Sequence, residues 1–222
     1  LAPFKIALSV PNRYSIYNAL TAIITGLVND IPLKVVKKGI ESFKGVERRF
    51  QILYDKGFMV IDDLLLNEDN IEASMKALED LRYQTIHFVH SVRGSRGVEV
   101  NRENAVKMAE WFPRLGIRNI TLTASRSHVG MLDAVKEEET AVIIDVMKEK
   151  GIEVDYYEEL EDALVTSLDK VSEGDILLIT GAHGMDHGGR IILELLKQKA
   201  EVDARAIEAV LTNKMIGMHH IA

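Results

Sequence analysis

The chemistry open to this chain is concentrated in four polar segments. They are Asp62-Asp63-Leu64-Leu65-Leu66-Asn67-Glu68-Asp69, His90-Ser91-Val92-Arg93-Gly94-Ser95-Arg96-Gly97, Thr123-Ala124-Ser125-Arg126-Ser127-His128 and Gly181-Ala182-His183-Gly184-Met185-Asp186-His187-Gly188-Gly189-Arg190. A carboxylate at a strand end can accept both hydrogen bonds of a ribose diol. Arg93, Arg96 and Arg126 can each meet a carboxylate or phosphate with two parallel N–H donors. The glycines at 181, 184, 188 and 189 let backbone N–H groups approach a ligand at a helix N-terminus. Together these types suit recognition of polyanions and small charged groups. The same letters also read as solvated loops with turn glycines and helix caps, and it is the recurrence of four such loops that argues for a site.

Other chemistries are poorly served. His183 and His187 lie four apart, but the glycines around them argue for a loop and supply no third ligand, so no protein-held metal is expected. Asp62 and Asp63 are neighbours in a strand and point to opposite faces, so at most one meets a given ligand. There is no G-x-S-x-G nucleophile turn. There is also no G-x-x-x-x-G-K-[ST] phosphate cradle, so these residues by themselves are expected to be inactive and to bind ATP only weakly.

A sheet must position the four segments. From Gly45 onward, short apolar runs alternate with amphipathic stretches. The expected strands are Arg49–Tyr54, Phe58–Asp62, Thr85–Val89, Asn119–Thr123, Glu153–Tyr157 and Asp175–Thr180; most end in small or polar residues, as buried parallel strands do. Ala105, Met108, Ala109 and Phe112 form one helical stripe, and Leu160, Ala163, Leu164 and Leu168 another. The first two strands, joined at Asp55–Gly57, read as a hairpin and the rest as βαβ winding. The fold class is therefore α/β: a Rossmann-like, open, mostly parallel sheet with helices on both faces, whose ligands sit beyond the carboxyl ends of the strands. One more helix is expected at Val202–Leu211. Residues 1–44 differ in texture: a strand from Phe4 to Val10, a helix with Tyr17, Leu20, Ile24 and Leu27 at helical spacing, and a second helix after Pro32. These cannot close a core, so they read as the tail of a preceding domain, with residues 45–222 forming the second; a chain opening on Leu1 fits excision from a longer one.

The 222 residues are 47% hydrophobic and 27% charged with a net charge of −7, and no basic block suggests a nucleic-acid partner. The absence of cysteine excludes disulfides and thiolate sites. No apolar run is long enough to span a membrane and no secretion signal is visible, which favours the cytoplasm. Nothing in the sequence points to an oligomeric state.

Three runs resemble the Mur ligase family, in its order and over most of the chain. Val10-Pro11-Asn12-Arg13-Tyr14-Ser15-Ile16-Tyr17-Asn18-Ala19-Leu20-Thr21-Ala22-Ile23 is similar to the G-x-[HF]-N-x-x-N-x-L-A-A segment that closes the central domain. Phe43-Lys44-Gly45-Val46-Glu47-Arg48-Arg49-Phe50-Gln51 resembles the F-x-G-V-x-R-R-F-[EQ] opening of the C-terminal domain. Val60 to Asp69 is similar to V-x-x-D-Y-A-H-N-P-D. The departures are Asn12 for glycine, Ser15 for the first asparagine, Leu64-Leu65-Leu66 for Tyr-Ala-His and Glu68 for proline.

The resemblance implies an ATP- and Mg²⁺-dependent ligase: a substrate carboxylate is phosphorylated, and an amino acid's amine attacks the acyl phosphate. The central domain would carry the phosphate loop, and the C-terminal domain would close over it. By motif, Asn18 would contact adenine, Arg49 the nucleotide at the domain junction and Asp63 the ribose, with Asn67 at the polar end of the same loop. By loop position, Arg126 would bind the acceptor's carboxylate and His183 the last acceptor-side segment, with Arg93 and Arg96 as further substrate-side arginines. The R-R-F run leans to the branch adding the first amino acid to a nucleotide-linked muramic acid, while G-A-H-G-M-D-H-G-G-R does not match that branch. A divergent bacterial or archaeal ligase, a folylpolyglutamate-synthase-like ligase and a non-catalytic module with an altered nucleotide loop stay open.

Overall fold

The computed structural model describes residues 4–8, 13–43, 45–199, 202 and 204–213. The chain divides into two compact units, Leu1–Val46 and Glu47–Ala222.

In the first unit, α1 (Arg13–Val28) and α2 (Leu33–Ser42) pack together, with Pro32 at the N-cap of α2. They approach closely where Gly26 faces Val36; a methyl group added at Gly26 would collide with the valine. The strand expected over Phe4–Val10 is not formed at Phe4–Leu8, and its remainder, like Asn12 and Lys44, lies outside the described residues. A single strand needs a partner edge for its N–H and C=O groups; here the Ala7 N–H donates to the Glu41 carboxylate instead (3.2 Å). Helix α1 leaves Tyr17, Leu20, Ile24, Leu27 and Val28 exposed, so its apolar stripe is solvent-facing.

The second unit contains β1 (Gln51–Lys56), β2 (Phe58–Asp63), α3 (Glu68–Glu79), β3 (Ile86–Ser91), α4 (Val98–Leu115) and β4 (Asn119–Thr123). It continues through α5 (Glu137–Glu149), β5 (Glu153–Tyr157), α6 (Leu160–Asp169), β6 (Ile176–Gly181), α7 (Gly188–Lys197) and α8 (Ala204–Asn213). The six strands lie in the order β1-β2-β6-β3-β4-β5. β1 pairs antiparallel with β2 across the tight turn at Gly57, and the other pairings are parallel.

Alternation along the strands divides the core. On one face Ile61, Phe88, Ile120, Leu122 and Leu178 meet Met75, Met108, Phe112 and Ile143 of α3, α4 and α5. On the other Val60, Val89, Leu177 and Ile179 meet Leu164, Leu193 and Ile207 of α6, α7 and α8. Helix α3 starts where the sequence supplies a cap: the Asn67 side chain accepts from the Asn70 N–H (3.0 Å), with Glu68 and Asp69 in its first turn. Helix α4 ends at Gly116, whose φ of 72° is left-handed.

The connections leaving β2, β3 and β4 lead to helices on the first face; those leaving β5 and β6 lead to the second. β6, last in sequence, is inserted between β2 and β3, so its loop departs opposite to both neighbours. A reversal of this kind, at the carboxyl end of β6, marks the position where such sheets commonly bind ligands.

Leu178 is fully buried at the centre of β6. Leu178→Ala is expected to lower stability by about 2–5 kcal/mol, read as a reduced urea midpoint with unchanged slope.

Candidate functional site

The second unit begins with a guanidinium folded into its interior. Arg48 has φ 50° and Phe50 also has φ 50°, left-handed geometry uncommon outside glycine. This backbone sends Arg48 inward and leaves Arg49 exposed. Arg48 Nε donates to Asp62 Oδ1 at 3.2 Å, Nη1 donates to Ala182 O at 3.0 Å and to Asp186 Oδ1, and Nη2 donates to Gly181 O. One cation thus joins the end of β2 to the turn after β6. Two buried carboxylates share it, and Asp62 Oδ2 has no hydrogen-bond partner among the described residues. Burial, opposed by Arg48, pushes the Asp62 carboxyl up to about 7.

Asp186 extends the chain of contacts. Its other oxygen, Oδ2, lies 3.3 Å from His183 Nδ1. The side chains of Arg48 and Asp186 are each 2% exposed, and that of His183 is 43% exposed. A buried guanidinium therefore holds a buried carboxylate, which holds a part-exposed imidazole.

The glycines of this turn serve packing. Gly181 has φ 133°, and a Cβ there would lie 2.7 Å from Ser91 O; one on Gly184 would collide with Ser91 Oγ, and one on Gly188 with Met185. Between β6 and α7 a short 3₁₀ turn, His183–Met185, presses against β3, and α7 then begins at Gly188. Ser91 Oγ and Ser125 Oγ are 3.2 Å apart beneath it. His90 is buried with its pKa lowered to about 4 by burial. The Thr180 hydroxyl donates to Val89 O (2.9 Å), so His90 Nδ1–H donates to Thr180 Oγ1 (2.9 Å), and His90 is a neutral structural residue.

Asp63 is buried, its Oδ1 accepting from Phe50 N (2.9 Å) and Leu64 N (3.0 Å) and its Oδ2 from Ser74 Oγ. Asn67 caps α3. Arg93 Nη1 donates to Leu66 O (2.8 Å). Arg96 pairs with Asp133 (2.9 Å). Arg126 pairs with Glu158 beside an open cavity of about 290 Å³ lined also by Lys136, Thr140 and Tyr156. The three arginines are thus engaged by three different neighbours. His187 leaves the His183 turn for His128, whose ring is 5.3 Å away. In the first unit, Asn18 lines a mostly apolar cavity of about 470 Å³ with Leu8, Ser15, Ala22, Ile40 and Phe43.

Two features escaped sequence reasoning. Arg48 sat beside the motif arginine with nothing to separate the two. Glu139, in the first turn of α5, accepts from the N–H groups of Ser95 (3.0 Å), Arg96 (2.9 Å), Gly97 (2.8 Å) and Lys136 (3.0 Å). It thereby fills the nest of donors at the start of α4. Burial raises its pKa, but those four N–H groups outweigh burial and hold the carboxyl below the ordinary range.

Residues 48–183 match the family model described as the Mur ligase glutamate ligase domain. A UDP-N-acetylmuramate–L-alanine ligase of Persephonella marina is 30% identical over 200 residues, 88% of this chain and 41% of that protein. The solved UDP-N-acetylmuramate-alanine ligase of Thermotoga maritima superposes with a TM-score of 0.61 at 22% identity, over 87% of this chain and 40% of that one. The folylpolyglutamate synthase of the same organism gives 0.62 at 19%, over 87% and 41%. Both structural likenesses are of fold. The chain spans about two fifths of the length of these relatives.

Removing the central cation strands two buried carboxylates. Arg48→Met is expected to cost about 3–5 kcal/mol in urea unfolding at pH 7.5, and a loss below about 1 kcal/mol would contradict the clamp. Asp62 supplies a test with a defined sign. It ionises at an ordinary value of 3.8 when unfolded and at about 7 when folded. Between those values the folded protein binds more protons, so stability falls as pH rises through the window and levels off above it. Asp62→Asn should therefore gain stability relative to the parent from pH 4 to 7, and urea midpoints that run in parallel would refute this.

Proposed function

The chain belongs to the Mur ligase family, and we propose that it is the C-terminal portion of a cytoplasmic ATP-dependent ligase. Residues 1–44 are the tail of the central ATPase-like domain and residues 45–222 the C-terminal domain. The enzyme joins an amino acid to a carboxylate of a nucleotide-linked cell-wall precursor. The observation that carries this reading is the 30% identity to an L-alanine-adding ligase over 88% of the chain. The carboxyl edge of the sheet, where polar turns gather, suits small charged substrates.

Carboxylate is a poor electrophile until one oxygen becomes a leaving group; ATP supplies the phosphoryl group and Mg²⁺ offsets its charge. The residues present fit the nucleotide unevenly. Asn18, a polar amide in an apolar-lined cavity, suits a flat heterocycle with hydrogen-bonding edges, and exposed Arg49 suits phosphate. Asp63 fits a ribose diol less well, because Phe50, Leu64 and Ser74 already engage its oxygens. With Asn67 it acts on the nucleotide through the loop that both residues shape. Arg93, Arg96, Arg126 and His183 belong to the substrate side, where the three arginines exchange their present partners for a substrate carboxylate.

The ligase containing this chain should release phosphate from ATP only when both UDP-N-acetylmuramate and an amino acid are present, with L-alanine the best acceptor. Silence across a panel of amino acids, and with glutamate plus a folate acceptor, would favour a non-catalytic module. Asn18→Ala should raise the KM for ATP about ten-fold, equivalent to roughly 1.4 kcal/mol, and leave the KM for the amino acid unchanged.

A further inference from the structure

The arginines expected to meet the substrate stand on two loops. Arg93 and Arg96 follow β3, and Arg126 follows β4. Beside Arg126 is the cavity whose wall includes Lys136 and Thr140, at the start of α5. A substrate held from both loops needs their separation fixed, since a misplacement of about 1 Å can cost about 10²-fold in rate. We propose that Glu139 is the positioning residue that fixes it; this rests on the ligase reading above.

Glu139 is 1% exposed. Its Oε1 accepts from Arg96 N (2.9 Å) and Gly97 N (2.8 Å), and its Oε2 from Ser95 N and Lys136 N (both 3.0 Å). The bond to Lys136 is an ordinary helix cap. The other three cross to a loop 42 to 44 residues earlier, which no cap requires. That loop is shaped to meet them. Ser95 at φ 56° and Gly97 at φ 89° are left-handed, and alternation of this kind turns successive N–H groups toward one point. A serine so placed is strained by itself, and the carboxylate offsets the strain. The other charged tie between the loops is weaker. Arg96 and Asp133 are 37% and 27% exposed, and ion pairs open to water contribute little. The buried carboxylate is thus the link that sets where Arg96 and the cavity wall stand.

Both its length and its charge are used. Each oxygen takes two donors, so a glutamine in either orientation points its NH₂ at two N–H groups. Aspartate can still cap α5, but it is one methylene too short to reach residues 95–97.

Glu139→Asp therefore separates the bridge from the cap. Amide hydrogen exchange at residues 95–97 should be faster in the variant than in the parent. In the ligase containing this chain, the variant should raise the KM for L-alanine about ten-fold and leave the KM for ATP within about two-fold. Glu139→Gln should move the same KM, and it keeps the test open if the aspartate variant does not fold. Leu178→Ala, destabilised far from both loops, should change neither KM. Unchanged exchange at residues 95–97 would overturn the proposal. So would a fall in kcat with both KM values intact, which is what a purely structural clamp predicts, or a parallel rise in both. The exchange comparison needs no turnover. A parent silent with every amino acid would sink the ligase reading and the positioning role together, while faster exchange in the variant would still locate the bridge.

Discussion

A buried cation between two buried carboxylates organises the carboxyl edge of the second unit. Arg48 enters the interior because two left-handed residues fold the start of the unit back onto the end of β2. Its backbone joins in, with Leu64 N donating to Arg48 O (2.9 Å). Withdrawing a guanidinium from water is costly unless its donors are met, and here two carboxylates and two peptide carbonyls meet them. The result is a strut between a segment at residue 48 and a turn at residues 181–186, and that turn carries the most exposed member of the cluster, His183.

The neighbouring loops are tied by a different device of the same kind. Glu139 gathers four backbone N–H groups from the loops before α4 and α5. Arg96 reaches across to Asp133, and Ser95 Oγ donates to Ala134 O. Gly94 lies so close to Asp133 and Ala134 that any side chain there would collide with their backbone. Arg93 and Asn104 both reach Leu66 O, at 2.8 and 3.4 Å, which brings the loop after β2 into the same fabric. A charged acceptor with several backbone donors is among the stronger arrangements a folded chain can make. Loops held this way present their side chains with little freedom to lose when a ligand arrives.

That economy clarifies the altered loop after β2. Leu65 is buried and Leu64 and Leu66 partly so, placing an apolar cluster where the family pattern has Tyr-Ala-His. The loop keeps its shape because Asp63 and Asn67 hold its two ends. The ligase fold thus survives a change in the chemistry of one of its loops, as folds commonly do when sites are remodelled on them.

Much of this was legible in the sequence. The strands followed from apolar runs, the antiparallel pair from a two-strand pattern broken at Gly57, and the family from three ordered motifs. The opposite orientations of Asp62 and Asp63 followed from the strand period, whereas the cap at Asn67 is a finding of the folded chain. Tertiary structure alone decided the partners. Insertion of β6 between β2 and β3 is a matter of packing across the whole unit, and so is the choice of Arg48 over Arg49 for the interior. The contact of Arg48 with Asp186 joins residues 138 apart. Glu139 fills its donors across more than 40 positions. Local periodicity states which face a side chain occupies; only the folded chain states what it meets there, because hydrogen-bond partners are set by proximity in space, which sequence spacing does not encode.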